Sequence, residues 1–394
     1  MKCFLCNKNK IAKFLNLGQQ PLANKYPATK AEFKTEDFFP LAVFFCERCK
    51  NVQLGTIVSR ERMFQDYYYL SSVNPGLVRH FQKLAKKIAK ADFVVDIGSN
   101  DGVLLKPLKE LGVKAIGVDP SINVSKIAND AGLETIVSFF DSSTAESIKA
   151  KYGKPDTIVA SSIFTHVEDP HKFIDNAKNL MADDGKFIIE VEYIGNILQD
   201  IRFERFYLDR VFYYSLNSLK NLFESHGMNI IDAEKIEPHG GSIRVTVCKN
   251  GYGLAPSKRI ARLLKEEKKN LTLKKLKGFK RSVDKHVAAF YSKLSQYKKL
   301  NLKVAGYGAP ARVATICNYG KIGAELIEFI VDDSHLKQNR FSPGTHIPIV
   351  ASSYLEGHRP AVLVVFAYEY FNDIKKKTKG DYRYLLPMPP REVN

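Results

Sequence analysis

Residues 93–112 read Phe-Val-Val-Asp-Ile-Gly-Ser-Asn-Asp-Gly-Val-Leu-Leu-Lys-Pro-Leu-Lys-Glu-Leu-Gly, and residues 115–119 continue as Ala-Ile-Gly-Val-Asp. An apolar run of strand length, a glycine-containing turn, a helix pattern and a second apolar run ending on an acid describe a βαβ unit. Such a unit brings a helix amino terminus and bare backbone up to a ligand, while the acid at the end of the second strand is placed to accept from ribose hydroxyls. The turn Asp96-Ile97-Gly98-Ser99-Asn100-Asp101-Gly102 is not the dinucleotide-binding pattern Gly-x-Gly-x-x-Gly. The predicted class is therefore α/β with a nucleoside-type site near Asp96 and Asp119.

Around this unit the chain has 394 residues, enough for two or three folding units, each with its own core. Its 45% apolar and 26% charged composition is that of a globular protein and excludes collagen-like or disordered classes. Met1 to Lys10 offers cysteines and lysines where a signal peptide needs an apolar stretch, and the longest clean apolar run, Ala361 to Tyr368, suits a buried strand. A cytoplasmic protein without a membrane partner is the expectation. The net charge of +18 raises nucleic acid as a partner, but between Ser257 and Leu300 fifteen Lys or Arg face only three Asp or Glu. Apolar residues at Ile260, Leu263, Leu264, Val283, Val287, Phe290, Leu294 and Tyr297 recur at helical spacing there, so the stretch reads as connecting helices with a solvated basic face. A phosphate-attracting surface is the alternative reading of the same charges.

Four of the six cysteines form two Cys-x-x-Cys knuckles, Cys3/Cys6 and Cys46/Cys49. Paired knuckles suit a tetrahedral thiolate zinc site, and with all four ligands from protein no position stays open for chemistry, so the ion is structural. The 39 residues between the knuckles read as an elaborated loop or hairpin. Cys248 and Cys317 read as buried thiols.

The acid before the glycines of residues 96–102 resembles the first motif of class I S-adenosylmethionine-dependent methyltransferases. Pro155–Val159 and Leu180–Ile188 are similar to that fold's fourth and fifth strands. The resemblance implies donor binding by Asp96, Gly98, Asn100, Gly102 and Asp119, with Asp141 near the adenine. Further segments narrow it: Asp66 to Ser72, Phe164 to Asp169, Phe203 to Leu219, His239 to Ser242, Gly306 to Ala311 and Lys337 to His346. With the knuckles, and in this order, they resemble the nucleotide-sugar C-methyltransferases. That family implies a zinc-binding domain (1–75), a methyltransferase domain (76–255), here a basic helical connector (256–300), and a second Rossmann-like domain (301–394). It implies S-adenosylmethionine and zinc as cofactors, a nucleotide-linked keto-deoxysugar as substrate, and C-methylation through an enolate. No nucleic acid is expected, and no obligate protein partner is inferred.

The family's Tyr-His-Glu-His run stands here as Tyr207-Leu208-Asp209-Arg210. Arginine cannot act as a base near neutral pH, and beside Asp209 it would depress that carboxyl; it can instead donate to an enolate, a carboxylate or a phosphate. The candidate catalytic cluster is His166, Tyr207, Asp209, Arg210, Tyr69 and His239, with His166 first as the reassigned base because imidazole titrates near working pH. By resemblance, Tyr213, Gly306, Gly308, Lys337 and Arg340 contact the substrate. Methylation of another sugar atom, or a sugar-nucleotide binding protein without turnover, are alternatives raised by the lost histidines. A nucleic-acid methyltransferase is a further one, opposed by Ser161-Ser162-Ile163-Phe164 where an Asn-Pro-Pro-aromatic motif would stand.

Overall fold

The computed structural model describes all residues except 60, 61, 64–69, 253, 254, 379, 381 and 394. Its first strands, β1 (Ile11–Pro21), β2 (Phe38–Cys46) and β3 (Val52–Leu54), form an antiparallel meander. The helix Pro75–Lys87 then starts where Asn74 accepts from the Gly76 and Leu77 amides and Pro75 needs no donor. There follow β4 (Phe93–Ile97), β5 (Lys114–Asp119), β6 (Thr135–Val137), β7 (Thr157–Ser161) and β8 (Lys186–Glu192). After a short β9 (Phe212–Tyr213) come β10 (Met228–Ile236) and β11 (Ser242–Lys249).

The central sheet has the order β10-β11-β8-β7-β4-β5-β6. Strands β4 to β8 are parallel, while β11 runs antiparallel to β8 and β10 to β11. Chain direction away from β4 reverses between β5 on one side and β7 on the other, so a crevice opens at the carboxyl ends of these strands. That crevice is where the Gly98 turn lies. The near-continuous apolar character of Phe93–Ile97 is what a strand covered on both faces requires, and all five residues are buried.

The carboxyl-terminal sheet is built from β12 (Val304–Tyr307), β13 (Ile330–Val331), β14 (Arg340–Phe341), β15 (Pro348–Val350), β16 (Val362–Val365), β17 (Arg383–Pro387) and β18 (Pro390–Val393). Its order, β14-β15-β13-β12-β16-β17-β18, keeps β12, β13, β15, β16 and β17 parallel, a second α/β layer.

Two joints weld these parts. Strand β9 comes from beyond β8, yet it pairs with β3 and completes the amino-terminal sheet, Val52 opposite Tyr213. The helix Leu273–Lys299 buries Leu276, Phe279, Val283, Val287, Phe290, Leu294 and Tyr297 while its lysines face outward. Phe14 of β1, Phe206 and Phe279 meet pairwise at ring separations of 6.3 Å in one core. The basic stretch is thus a packed strut with a charged outer face. Among the described residues no helix is long and apolar enough to cross a membrane.

Candidate active site

The glycine turn is fixed by backbone need. Gly98 has φ +78°, and a Cβ there would lie 2.9 Å from Ile163 Cβ; at Gly102, φ +80°, it would lie 2.5 Å from Leu133 Cδ1. Only glycine supplies this combination without strain. Asp119 at the end of β5 accepts from the Asn100 amide (2.9 Å) and the Ser121 amide (2.9 Å), one on each oxygen, and keeps lone pairs for a ligand. Burial nonetheless pushes its carboxyl above the ordinary range. Asn100 Oδ1 accepts from the Ser71 amide (2.9 Å), and Asp101 accepts from the amide and hydroxyl of Ser72, which ties residues 71–72 to the turn. Asp141 caps the helix Ser142–Tyr152 by accepting from the Thr144 amide at 2.9 Å.

These groups open on a cavity of about 1310 Å³. Asp96, Gly98, Asn100, Asp119 and Asp141 line one part of it, His166, Tyr207, Arg210 and His239 another, and Gly308 and Lys337 reach it from the carboxyl-terminal half. Asp96 is 3% exposed, and burial, with Asp119 and Glu190 nearby, lifts its carboxyl to about 8. A cation entering the cavity would relieve that strain.

Five of the expected residues stand elsewhere. Gly102 sits behind the turn, and Gly306 lies inside β12, where a Cβ would meet Ile330 and Phe366. Tyr213 is fully buried; its hydroxyl donates to the Arg205 carbonyl (3.0 Å) and accepts from the Tyr207 amide (3.1 Å). Arg340 donates to the Leu336 carbonyl and to the Tyr26 carbonyl, each at 3.1 Å, so it clamps the two ends of the chain. Asp209 does not line the cavity: its Oδ2 accepts from Asn24 Nδ2 at 2.6 Å. Tyr69 lies outside the described residues.

The arginine beside Asp209 lowers its carboxyl, but by less than burial raises it. Arg210 turns instead to Glu192, so burial prevails and the Asp209 carboxyl is raised. Glu192, 4% exposed, also holds Arg205 at 2.9 Å, and although burial opposes it, the two arginines keep it down at about 2. Arg210 lies 4.9 Å from the centre of the Tyr207 ring, whose phenol burial lifts to about 12. His166 Nδ1 contacts the Asp209 carbonyl. A carbonyl only accepts, so that nitrogen carries the proton and Nε2 is the one that can take another. Burial first and then Arg210 pull His166 down to about 3 and His239 to about 4, so both rings are neutral at neutral pH and, contrary to the sequence expectation, neither titrates near working pH. His239 reaches the cavity on a left-handed backbone, φ +56°.

Glu190 and Glu192 were missed in the sequence. Two acids alternating at the end of the otherwise apolar Phe187–Glu192 were the available signal, since buried carboxylates need partners. The partners come from across the chain: Glu190 takes His80 (2.8 Å), Ser161 (3.0 Å) and Arg244 (2.5 Å), with Arg244 directly opposite it on β11.

The knuckles converge. The Sγ atoms of Cys3, Cys6, Cys46 and Cys49 all lie within 4.8 Å of one another, with Cys3–Cys49 and Cys6–Cys46 each at 3.6 Å. Disulfide sulfurs stand about 2.05 Å apart. Sulfurs about 2.3 Å from a tetrahedral zinc are separated by about 3.8 Å. The set fits zinc, none of the four lines the cavity, and Cys3, Cys46 and Cys49 pack into the core of the central sheet.

Three family models match successive parts of the chain. Residues 3–64 match the family described as "Putative zinc binding domain", 62–233 "Methyltransferase domain", and 237–388 "C-methyltransferase C-terminal domain". C-methyltransferase NovU of Streptomyces niveus is 29% identical over 406 residues, spanning 100% of this chain and 97% of that one. A ubiquinone biosynthesis O-methyltransferase of Azorhizobium caulinodans is 29% identical over 126 residues, 30% of this chain and 49% of its own. Among solved structures, magnesium protoporphyrin IX methyltransferase of Synechocystis PCC 6803 with bound SAH is 16% identical, with TM-score 0.36 over 46% of this chain and 91% of that one.

Proposed function

We propose that this S-adenosylmethionine-dependent methyltransferase, whose parts match zinc-binding, methyltransferase and C-methyltransferase C-terminal family models, methylates a carbon of a nucleotide-linked keto sugar through an enolate. The observation that carries the reading is one cavity onto which the glycine turn, the Tyr207–Arg210–His166–His239 cluster and the Gly308 and Lys337 edge of the carboxyl-terminal half all open.

The donor supplies a methyl group on a positively charged sulfur and leaves as a neutral thioether. Asp96 and Asp119 hold it: Asp119 offers its remaining lone pairs to the ribose, and Asp96 gains a cationic neighbour. On the acceptor side a proton must leave the carbon next to the ketone. His166 receives it at Nε2, since Nδ1–H is held by the Asp209 carbonyl and the ring is neutral at neutral pH. Arg210 and the Tyr207 hydroxyl face the developing oxyanion. Charge of opposite sign fixed in place by the protein stabilises it more than mobile water would. The C–H pair becomes the nucleophile, a C–C bond forms as the C–S bond breaks, and the proton passes from His166 to solvent. Holding carbon and methyl in line supplies much of the rest. Gly308 and Lys337 are assigned to the substrate's diphosphate. Asp209, turned toward Asn24, positions the His166 carbonyl contact and does not take the proton.

The test is transfer from donor carrying a carbon-13 methyl to keto-sugar nucleotides, followed by carbon–proton correlation spectra of the product. A label bonded to ring carbon supports the proposal. A label on oxygen or nitrogen, or no product from any keto-sugar nucleotide while the donor binds, removes it.

A further inference from the structure

Beneath the cavity runs a chain of alternating charges. Arg312 grips Glu369 with both Nη atoms (2.7 and 2.6 Å), Glu369 also touches Arg205, Arg205 donates to Glu192 at 2.9 Å, and Glu192 ends on Arg210. Three guanidiniums therefore share two carboxylates. Among the described residues Arg205 Nε and Arg210 Nε are buried without a hydrogen-bond partner. Glu204 takes the Tyr368 hydroxyl rather than a guanidinium, and burial raises its carboxyl although Arg205 and Arg312 oppose that.

Arg205, Arg210, Arg312 and Glu369 all line the cavity, and the three arginines are at least nine-tenths buried. An unmatched guanidinium in such a place is costly unless an anion completes it. The member free to leave is Glu369. Its side chain is 20% exposed and it sits on the Tyr368–Tyr370 turn of the carboxyl-terminal half, whose three consecutive residues touch Glu204, Arg205 and Asn74.

We propose that the Arg205–Arg312 pair is an exchangeable anion site, in which Glu369 holds the place of a phosphate group of the acceptor and swings out when the acceptor enters. The inference rests on the nucleotide-sugar reading above and adds to it the residue that competes with the substrate. Paired planar guanidinium forks match phosphate oxygens as well as carboxylate ones. A phosphate also brings more negative charge than the carboxylate it displaces, so it pairs more strongly with the two guanidiniums. Two members come from the carboxyl-terminal half, away from the glycine turn, which assigns the anion to the acceptor and not to the amino-acid end of the donor.

Calorimetry with inorganic pyrophosphate on the full zinc-loaded chain tests this. Glu369→Gln removes the competitor and is expected to tighten pyrophosphate about tenfold. The charge-matched double variant Glu369→Gln/Arg312→Gln is expected to bind at least tenfold more weakly than Glu369→Gln. If Glu369→Gln melts below the assay temperature, Glu369→Asp takes its place, with severalfold tightening expected from a carboxylate that reaches less far. Unchanged or weaker pyrophosphate binding in the folded single variant, or undiminished binding in the double, overturns the proposal. S-adenosylhomocysteine titrated in parallel should show the same affinity in wild type and variant. A gain for it equal to the pyrophosphate gain would place the donor's carboxylate at the site and also overturn the proposal. Failure of wild type to bind S-adenosylhomocysteine would instead strike the methyltransferase reading itself, while the pyrophosphate comparison still decides the fate of the anion site.

Discussion

Replacing Asp96 by Asn should make the donor-free protein more stable and the donor bind less well. Asp96 is raised to about 8 by burial and by Asp119 and Glu190, against about 3.9 for an aspartate in an unfolded chain. Because the folded carboxyl holds its proton more tightly than the unfolded one, stability contributed by the protonated form is full near pH 4 and is lost as pH rises toward 8. At pH 7 the gap of about three units corresponds to an upper figure of roughly 4 kcal/mol, and half of that is a fair expectation after local relaxation. For a unit of the size of the central domain, roughly 2 kcal/mol shifts the melting temperature by about 4–8 °C. Asn keeps the shape and has no charge to lose, so its gain over wild type should grow from pH 4 to pH 8 and then level off. Melting of both proteins by calorimetry or circular dichroism across that range reads it directly. The same substitution should weaken S-adenosylmethionine, with its charged sulfur, more than S-adenosylhomocysteine. A variant that melts at or below wild type at pH 8, with the wild-type pH slope intact, refutes the reasoning.

Gly98→Ala places a methyl 2.9 Å from Ile163 Cβ on a backbone with φ +78°; it should cost about 1–3 kcal/mol and at least tenfold in donor affinity, measured by calorimetry with S-adenosylhomocysteine. Wild-type affinity in that variant would show that the turn does not meet the donor. Arg210→Ala leaves buried Glu192 with Arg205 as its remaining arginine and should destabilise by about 1–3 kcal/mol, a loss that denaturant unfolding would detect. Chelation should release one zinc per chain and lower the melting temperature of the central core together with the amino-terminal sheet, because Cys3, Cys46 and Cys49 pack into that core; separate, unchanged melting of the core would contradict it. With donor saturating, kcat/KM for the acceptor should stay flat down to about pH 5, since His166 and His239 are held at about 3 and about 4. An acid limb centred near 6.5 would mean that neither ring lies in the environment described.

What was legible in the sequence was local in origin. The glycine turn, the acid ending β5, the two cysteine knuckles and the one-sided helix Leu273–Lys299 each follow from residues close together in the chain, where spacing alone sets geometry. The misplaced residues depend on distant partners. Asp209 and Arg210 are neighbours, and adjacency suggested a pair, but the turn closed by the Arg210 amide on the Tyr207 carbonyl sends their side chains to different partners, one to Asn24 and the other to Glu192. Tyr213 reads as a site aromatic until β9 is found to complete the amino-terminal sheet, which seals it into the core. Glu369 carries no local mark at all; its role comes from Arg205 and Arg312, 164 and 57 residues away.

The account stands or falls on whether this cavity creates a nucleophilic carbon. Incubating the protein with S-adenosylhomocysteine and a keto-sugar nucleotide in deuterium oxide isolates that step, because proton removal can occur while methyl transfer cannot. The account predicts deuterium entering only the carbon beside the ketone, and far more slowly in a His166→Gln variant that still binds S-adenosylhomocysteine. Methylation of the same compound without any such exchange, or exchange at an undiminished rate in the variant, would contradict it.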